Sequence, residues 1–558
     1  MLFSPADFLT WLRCRRQWMR RCLVEPRRPA FPVEMTGEAT LRETARVIAE
    51  AVRRVAPEAD DLHRKVFGPT DVPAVADVIA VVLDSQKAAE WAAATVAAIG
   101  QRREFVHGVL VVDSALVLVD HAVFHGKMDG WRFSIFRPGT GVRGVYQSEA
   151  ALIAAAAEQN GVSLAGLHLY YLNKHTTLVQ SSDVDMAELY TESNMLKRAQ
   201  KGVYEVRAEL AELVSAASGQ EIDTGYRCSQ GCDICTPRPR NIRDRFSVRT
   251  LHKGGEVVRK LIEEGITDIR EIPPGYRGLT EKQRIQIDSV VNDALYIDPP
   301  QLQHFVSSLE YPVFYLDFEG FAASLPFFAG LSPYEHTPVI ASIHVQRERY
   351  SPPEGRLFVA ETGKDQRASF FSWMLDVVGT SGSIVVFGRL FEVAMIRQLA
   401  ARAGQETEGR QITQRMVDLL VPFSEFRLYH PEQRGKISLK RVLPAFSDEQ
   451  NYQNETVKDG MHANLGLIRL ADGYAIAAHG VPPSIVAGAR AAEGVNTILD
   501  RLVPDSAAYL PGSDEIAAYC AVDTIAMYHL VRRMEELARQ GSDQDRTMYR
   551  TQEKSASI

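Results

Sequence analysis

The sequence predicts an α/β protein made of two α/β domains joined by a helical bridge. Three observations predict it. The chain has 558 residues, several times the roughly 150 that one compact domain uses. Strand-like β-branched runs alternate with helical patterns in two separate stretches, one ending near Leu172 and one starting at Tyr311. Between them, short helical patterns from Phe246 to Leu309 are cut by Gly254-Gly255, Gly265 and Pro273-Pro274-Gly275. The expected division is 1–240, 241–308 and 309–539, with a polar, disordered tail at 540–558.

Ser4-Pro5-Ala6-Asp7 is a helix-start signal, followed by Phe8, Leu9, Trp11 and Leu12 at helical spacing. Helical patterns continue over Glu38–Val55 and Val72–Ile99. The period then changes to β-branched runs at Gly108–Asp113, Ala115–Asp120 and Trp131–Phe136. A helix over Glu149–Gln159, a strand over Leu167–Leu172 and a helical stretch over Asp185–Ser218 complete the first unit. In the second, strands are expected at Val313–Leu316, Val339–Val345, Arg356–Val359 and Ser383–Phe387, and a closing helix at Asp514–Leu537.

Composition excludes several function classes. Lys+Arg total 63 against 70 Asp+Glu, a net charge of −7, so no uniformly cationic coat exists and any polyanion must be held by a local patch. No stretch reaches the ~18 consecutive apolar residues of a membrane span, and Met1–Leu12 is too short for a signal peptide. With 6 cysteines in 558 residues the expected setting is a reducing cytoplasm with no disulfide scaffold.

Acidic residues in the second half form a pattern. Asp317 and Glu319 end an apolar strand, where i, i+2 alternation puts both carboxylates on one face. Glu392 starts a helix after Ile384–Phe387, and Tyr519 and Asp523 lie one helical turn apart. Hard divalent ions take such oxygen ligands, and a pair of ions about 4 Å apart serves phosphodiester hydrolysis. This order resembles the DnaQ-like, or DEDD, 3′–5′ exonuclease superfamily in its tyrosine subtype, which has an RNase H-like fold. The resemblance implies that Asp317, Glu319, Glu392 and Asp523 hold Mg²⁺ or Mn²⁺ and that Tyr519 orients the attacking water. Asp418 in Arg415–Leu420 and the segment Ser438–Leu443 are similar to the superfamily's mid-domain Asp segment and Ser-Leu helix. The second motif departs from His-Asn-x-x-Phe-Asp: here it reads Phe387-Gly388-x-x-Phe391-Glu392, one methylene longer at the acid and lacking the asparagine amide.

Cys228, Cys232 and Cys235 bring three thiolates within reach of one metal, and Cys14 is the natural fourth ligand. Cys22 and Cys520 are expected as buried free thiols. The Ser4–Trp18 segment around Cys14 resembles the start of RecB-type nuclease domains that carry an iron–sulfur staple. That resemblance implies a PD-(D/E)XK fold with a 4Fe–4S cluster on Cys14, Cys228, Cys232 and Cys235; a four-thiolate Zn²⁺ site is the alternative. Its nuclease motif is degenerate. Asp120 matches, but Ile135 stands where an acid belongs and Arg137 where a lysine belongs, and an alkyl group cannot ligate Mg²⁺.

Arginines crowd both cysteine segments. Arg13, Arg15, Arg16 and Arg20 flank Cys14, while Arg240 and Arg243 follow Cys235, so a shared metal would join them into a surface for nucleic-acid phosphates. Nearly the whole chain resembles an uncharacterised bacterial family that fuses a RecB-like domain to a DnaQ-like one. The function this implies is a metal-dependent 3′–5′ exonuclease on nucleic acid, single-stranded DNA first and RNA as the alternative, in DNA repair or defence. The competing expectation is a non-catalytic nucleic-acid-binding subunit with a protein partner in a larger complex.

Overall fold

The computed structural model describes residues 85–137, 139–177, 186–217, 245–322, 328–361, 364–447, 512–540 and 548–550, with isolated positions within 56–65 and 457–467. The chain is a mixed α/β protein that divides into two compact units. One comprises Met1–Pro237, Ala322–Glu335 and Ala471–Tyr509; the other comprises Arg238–Phe321, His336–Leu470 and Leu510–Ile558. The segment expected as a bridge therefore groups with the second unit.

In the first unit the order is α1 (Ser85–Gly100), β1 (Phe105–Val112), β2 (Ala115–His125), β3 (Gly130–Arg137), α2 (Gly144–Gln159), β4 (Leu164–Leu172), β5 (Tyr190–Asn194) and α3 (Leu196–Ala217). The strands lie side by side in chain order. Among these five strands neighbours are antiparallel except β3 and β4, which run parallel because α2 supplies the crossover, and a two-residue strand at Asp60–Asp61 adds to β1 in parallel. The six alanines between Ala150 and Ala157 are all buried and, with Leu152 and Ile153, form a smooth face of α2 packed into the core with Phe133, Ile135 and Leu169. Small side chains also bring α3 close, since a Cβ on Gly202 would stand 3.0 Å from that of Ala151.

The expected helical stretch over Asp185–Ser218 is corrected by β5, which pairs with β4 from Tyr190 to Asn194 before α3 begins. Tertiary pairing at an open sheet edge outweighs local helical preference here. A local signal also exists: Asn194 Oδ1 accepts from the Leu196 amide at 3.0 Å, marking the start of the helix.

The second unit contains α4 (Gly255–Glu263), α5 (Glu281–Asn292), β6 (Ala294–Ile297), α6 (Pro299–Ser307), β7 (Val313–Phe321), β8 (Thr337–Gln346), β9 (Glu354–Val359), α7 (Arg367–Val378), β10 (Ser383–Val386), α8 (Arg389–Ala403), α9 (Glu406–Gln414), β11 (Met416–Asp418), β12 (Leu428–Tyr429), α10 (Leu439–Phe446), α11 (Ser513–Gln540) and β13 (Met548–Arg550). The main sheet has the order β9-β8-β7-β10-β11, with β8 antiparallel to both its neighbours and β7, β10 and β11 parallel. A small second sheet places β6 between β12 and β13. The tail expected to be disordered thus contributes a paired strand at Met548–Arg550, because β6 offers it an edge.

β7 is apolar on both sides because it is covered on both sides. Val313 and Tyr315 enter a core with Val442, Leu443, Met527 and Val531 of α10 and α11. Phe314, Leu316 and Phe318 enter another with Phe370, Phe371, Ile396 and Leu399 of α7 and α8. The parallel strands β7, β10 and β11 all end at the same side of the sheet, where ligands bind in open α/β sheets.

The bridge segment is tied into this unit by buried hydrogen bonds. Gln286 Oε1 accepts from the His252 amide at 2.8 Å, and Gln286 Nε2 donates to the Thr250 carbonyl at 2.9 Å. His252 Nδ1 donates to the Gly435 carbonyl at 2.9 Å, which assigns its tautomer.

Candidate metal centre

At the carboxyl end of β7, Asp317 and Glu319 pair with Ser342 and Ile340 of β8. The pairing slips by a residue between Glu319 and Gly320. A Cβ at Gly320 would stand 2.3 Å from the Thr337 carbonyl oxygen, so the close approach that ends this strand requires glycine. Ser342 Oγ is 2.8 Å from Thr524 Oγ1, which docks α11 against the face carrying the acids. Asp523, the residue before Thr524, thereby joins them.

One carboxylate oxygen each from Asp317, Glu319 and Asp523 lies within 4.8 Å of the others. Glu319 is buried, while Asp317 and Asp523 keep partial exposure. Glu392 stands outside that trio but is near enough to act on Asp317 electrostatically. It lies in the first turn of α8, and its Oε2 is buried with no hydrogen-bond partner.

Burial, then Asp523, Glu319 and Glu392, push the Asp317 carboxyl well above the usual range. Glu319 is pushed up to about 8 by burial and Asp523, against the opposing charge of Lys440. Glu392 is also pushed up to about 8, by burial first and with a contribution from Asp418. Acids held this close without a cation take up protons; a bound cation is the other way to relieve them. The all-oxygen donor set and the orphaned Glu392 oxygen fit hard divalent ions such as Mg²⁺ or Mn²⁺.

The sequence-predicted residues fall as follows. Asp317, Glu319 and Asp523 come together, and Glu392 stands next to them. Tyr519 is buried one turn before Asp523 on α11. Asp418 is a positioning residue: its Oδ1 accepts from the Gly388 and Leu420 amides at 3.0 and 2.9 Å, and its Oδ2 from the Arg389 amide at 3.1 Å. It thereby holds the start of α8, where Gly388 has a φ of 104° that favours glycine. Cys14, Cys228, Cys232, Cys235, Arg13, Arg15, Arg16, Arg20, Arg240 and Arg243 lie outside the described residues. Arg245, from the same basic run, pairs with Glu432 at 2.6 Å and Asp293 at 3.3 Å.

Two neighbours were not assigned from the sequence. Lys440 Nζ lies 4.4 Å from the centre of the Tyr519 ring. Cys520, read as a buried free thiol, is buried and free, and its Sγ is 3.4 Å from Asp317 Oδ2. A lysine on a helix and a cysteine beside a tyrosine carry no signal until α10 and α11 dock.

In the first unit, Asp120 meets a cation from its own chain. Its Oδ2 accepts from the Phe136 amide and from Arg137 Nη1, both at 2.7 Å. Arg137 Nε donates to Glu149 Oε2 at 2.9 Å, and a second bond joins its Nη2 to Glu149 Oε1. Ile135, two residues before Arg137 on the same face of β3, is fully buried in the core. The guanidinium occupies the acids that a divalent ion would need.

A family model described as a domain of unknown function (DUF2779) matches residues 314–438. The match runs from β7 to the residue before α10 and includes Asp317, Glu319, Glu392 and Asp418. No curated protein and no solved structure matches the chain. No helix among the described residues is long and apolar enough to cross a membrane.

Proposed function

We propose that the chain is a divalent-metal-dependent 3′–5′ exonuclease whose second unit, RNase H-like in the DnaQ manner, hydrolyses single-stranded DNA from its end. The observation that carries this reading is the convergence of Asp317, Glu319 and Asp523 within 4.8 Å beside the unpartnered Glu392 oxygen. The sheet order, and the position of Asp317 and Glu319 on β7 past the residues Val313–Tyr315 that pair with the parallel β10, support it.

In this reading Asp317, Glu319, Glu392 and Asp523 would hold two Mg²⁺ or Mn²⁺ ions, which would supply Lewis-acid chemistry for phosphodiester hydrolysis. Asp418 and Gly388 fix the start of α8 so that Glu392 faces the site. Tyr519, buried one turn before Asp523, orients water for in-line attack, and 5′-mononucleotides are released. The first unit, read as RecB-like, serves grip and architecture: its Arg137–Asp120–Glu149 cluster supports a non-catalytic role. Cys14, Cys228, Cys232 and Cys235 would hold a 4Fe–4S cluster there, with Zn²⁺ as the alternative, and Arg13, Arg15, Arg16, Arg20, Arg240 and Arg243 would contact phosphates.

The test is end-labelled single-stranded DNA incubated with the full chain and Mn²⁺, with a chelator arm and an Asp317→Ala control. Shortening that the chelator and the substitution both abolish supports the proposal. Binding without shortening at any Mn²⁺ concentration supports a non-catalytic subunit, and equal activity in the Asp317→Ala protein overturns the assigned centre.

A further inference from the structure

Lys440 adds a positive charge that the metal-binding reading does not use. It lies in the first turn of α10, whose Leu439, Val442 and Leu443 are buried in a core shared with α11. Anchored this way, Lys440 is half-buried and close enough to β7 for its charge to act on Glu319. Its Nζ stands over the Tyr519 ring at 4.4 Å, and its charge opposes the effect of burial and Asp523 on Glu319.

Charge balance gives this placement a purpose. Ionised Asp317, Glu319, Glu392 and Asp523 would be neutralised by two divalent ions. A phosphodiester then brings one more negative charge into the same confined space, and a single ammonium offsets it. The flexible four-carbon stem lets Nζ shift from the face of the Tyr519 ring, 4.4 Å away, to a phosphate oxygen with no backbone movement.

We propose that Lys440 is a phosphate-binding residue of this centre, countering Glu319 before metal binds and pairing with the terminal phosphodiester of the nucleic acid afterwards. The inference rests on the metal-dependent exonuclease reading. It makes two affinities move in opposite directions when the charge is removed, which a merely structural role would not do.

The experiment uses the full chain, its Lys440→Met variant, which keeps the apolar stem, and Lys440→Arg, which keeps the charge. Mn²⁺ affinity is read by electron paramagnetic resonance. DNA affinity is read with a single-stranded oligonucleotide ending in a 3′ phosphorothioate, in Ca²⁺. Lys440→Met is expected to bind Mn²⁺ severalfold more tightly and DNA about tenfold more weakly, with Lys440→Arg near the parent in both. Unchanged affinities in Lys440→Met, or a loss of both together, would overturn the proposal. A parent protein that binds no Mn²⁺ sinks the metal-centre reading itself; one that binds Mn²⁺ and shortens DNA, with Lys440→Met indistinguishable from it, sinks only the role of Lys440.

Discussion

Cys520 Sγ donates to Asp317 Oδ2 across 3.4 Å and approaches the Asp317 carbonyl at 3.5 Å. Burial and the surrounding acids raise the thiol well above its ordinary value, so it keeps its proton and can donate. The bond joins α11 to β7 between the acids that each contributes. Cys520→Ser keeps a donor and is expected to retain Mn²⁺ affinity within about twofold, whereas Cys520→Val should lose about tenfold, as outer-shell partners of metal ligands typically do. Calorimetric titration with Mn²⁺ checks both.

The raised acids make stability and metal binding depend on pH in opposite senses. Glu319 and Glu392 stand at about 8 in the folded metal-free chain against an ordinary 4.5. Between those values the folded state binds more protons than the unfolded one, so metal-free stability falls as pH rises from about 4.5 to about 8. Metal binding expels those protons, so Mn²⁺ affinity should rise over the same window. Thermal melts at pH 6 and pH 8.5, with and without Mn²⁺, are expected to show the higher metal-free melting temperature at pH 6 and the larger Mn²⁺ shift at pH 8.5.

Asp317→Asn separates folding from function. It relieves repulsion from Asp523, Glu319 and Glu392, so the metal-free protein should melt at the same or a higher temperature. Nuclease activity should fall by at least about a thousandfold, because the ligand set acts as a unit. A melt alongside an activity assay reads both.

Asp418→Ala removes the acceptor of three backbone amides, those of Gly388, Arg389 and Leu420. The expected cost is about 1–2 kcal/mol in urea unfolding. Because α8 carries Glu392, activity should drop further than the stability loss explains. Asp418→Asn, which keeps one acceptor oxygen, should fall between the two.

Arg137→Ala would strand Asp120, whose side chain is 2% exposed, and leave Glu149 without its partner. Loss of one member of a buried ion-pair cluster costs about 3–5 kcal/mol. Arg137→Lys cannot reproduce the paired bonds to Glu149 and should recover only part of that. Chemical denaturation of the first unit reads the difference.

Both α/β units were legible because period and β-branching report burial directly. Val313–Leu316 reads as a strand covered on both faces, and the two cores that receive its alternate residues are what that pattern requires. Strand β5 was not legible, since Tyr190–Asn194 becomes a strand only when β4 presents an open edge. The same holds for β13 in the tail. The spacing of Asp317 and Glu319 likewise implied a shared face, because a strand's two-residue period needs no other element.

By itself the sequence determined the alternation of elements, the local acid spacing and the placing of Ile135 and Arg137 two residues apart on one strand. Only the tertiary structure decided that Asp523 meets Asp317 and Glu319, that Arg137 fills the place beside Asp120, and that Lys440 and Cys520 border the acids. The contacts of Cys520 and Asp523 with the acids of β7 span more than two hundred residues of chain, and they are made by a helix docking on a sheet. Local propensity carries no information about such distances; the buried apolar faces of α10 and α11 supply it when they pack.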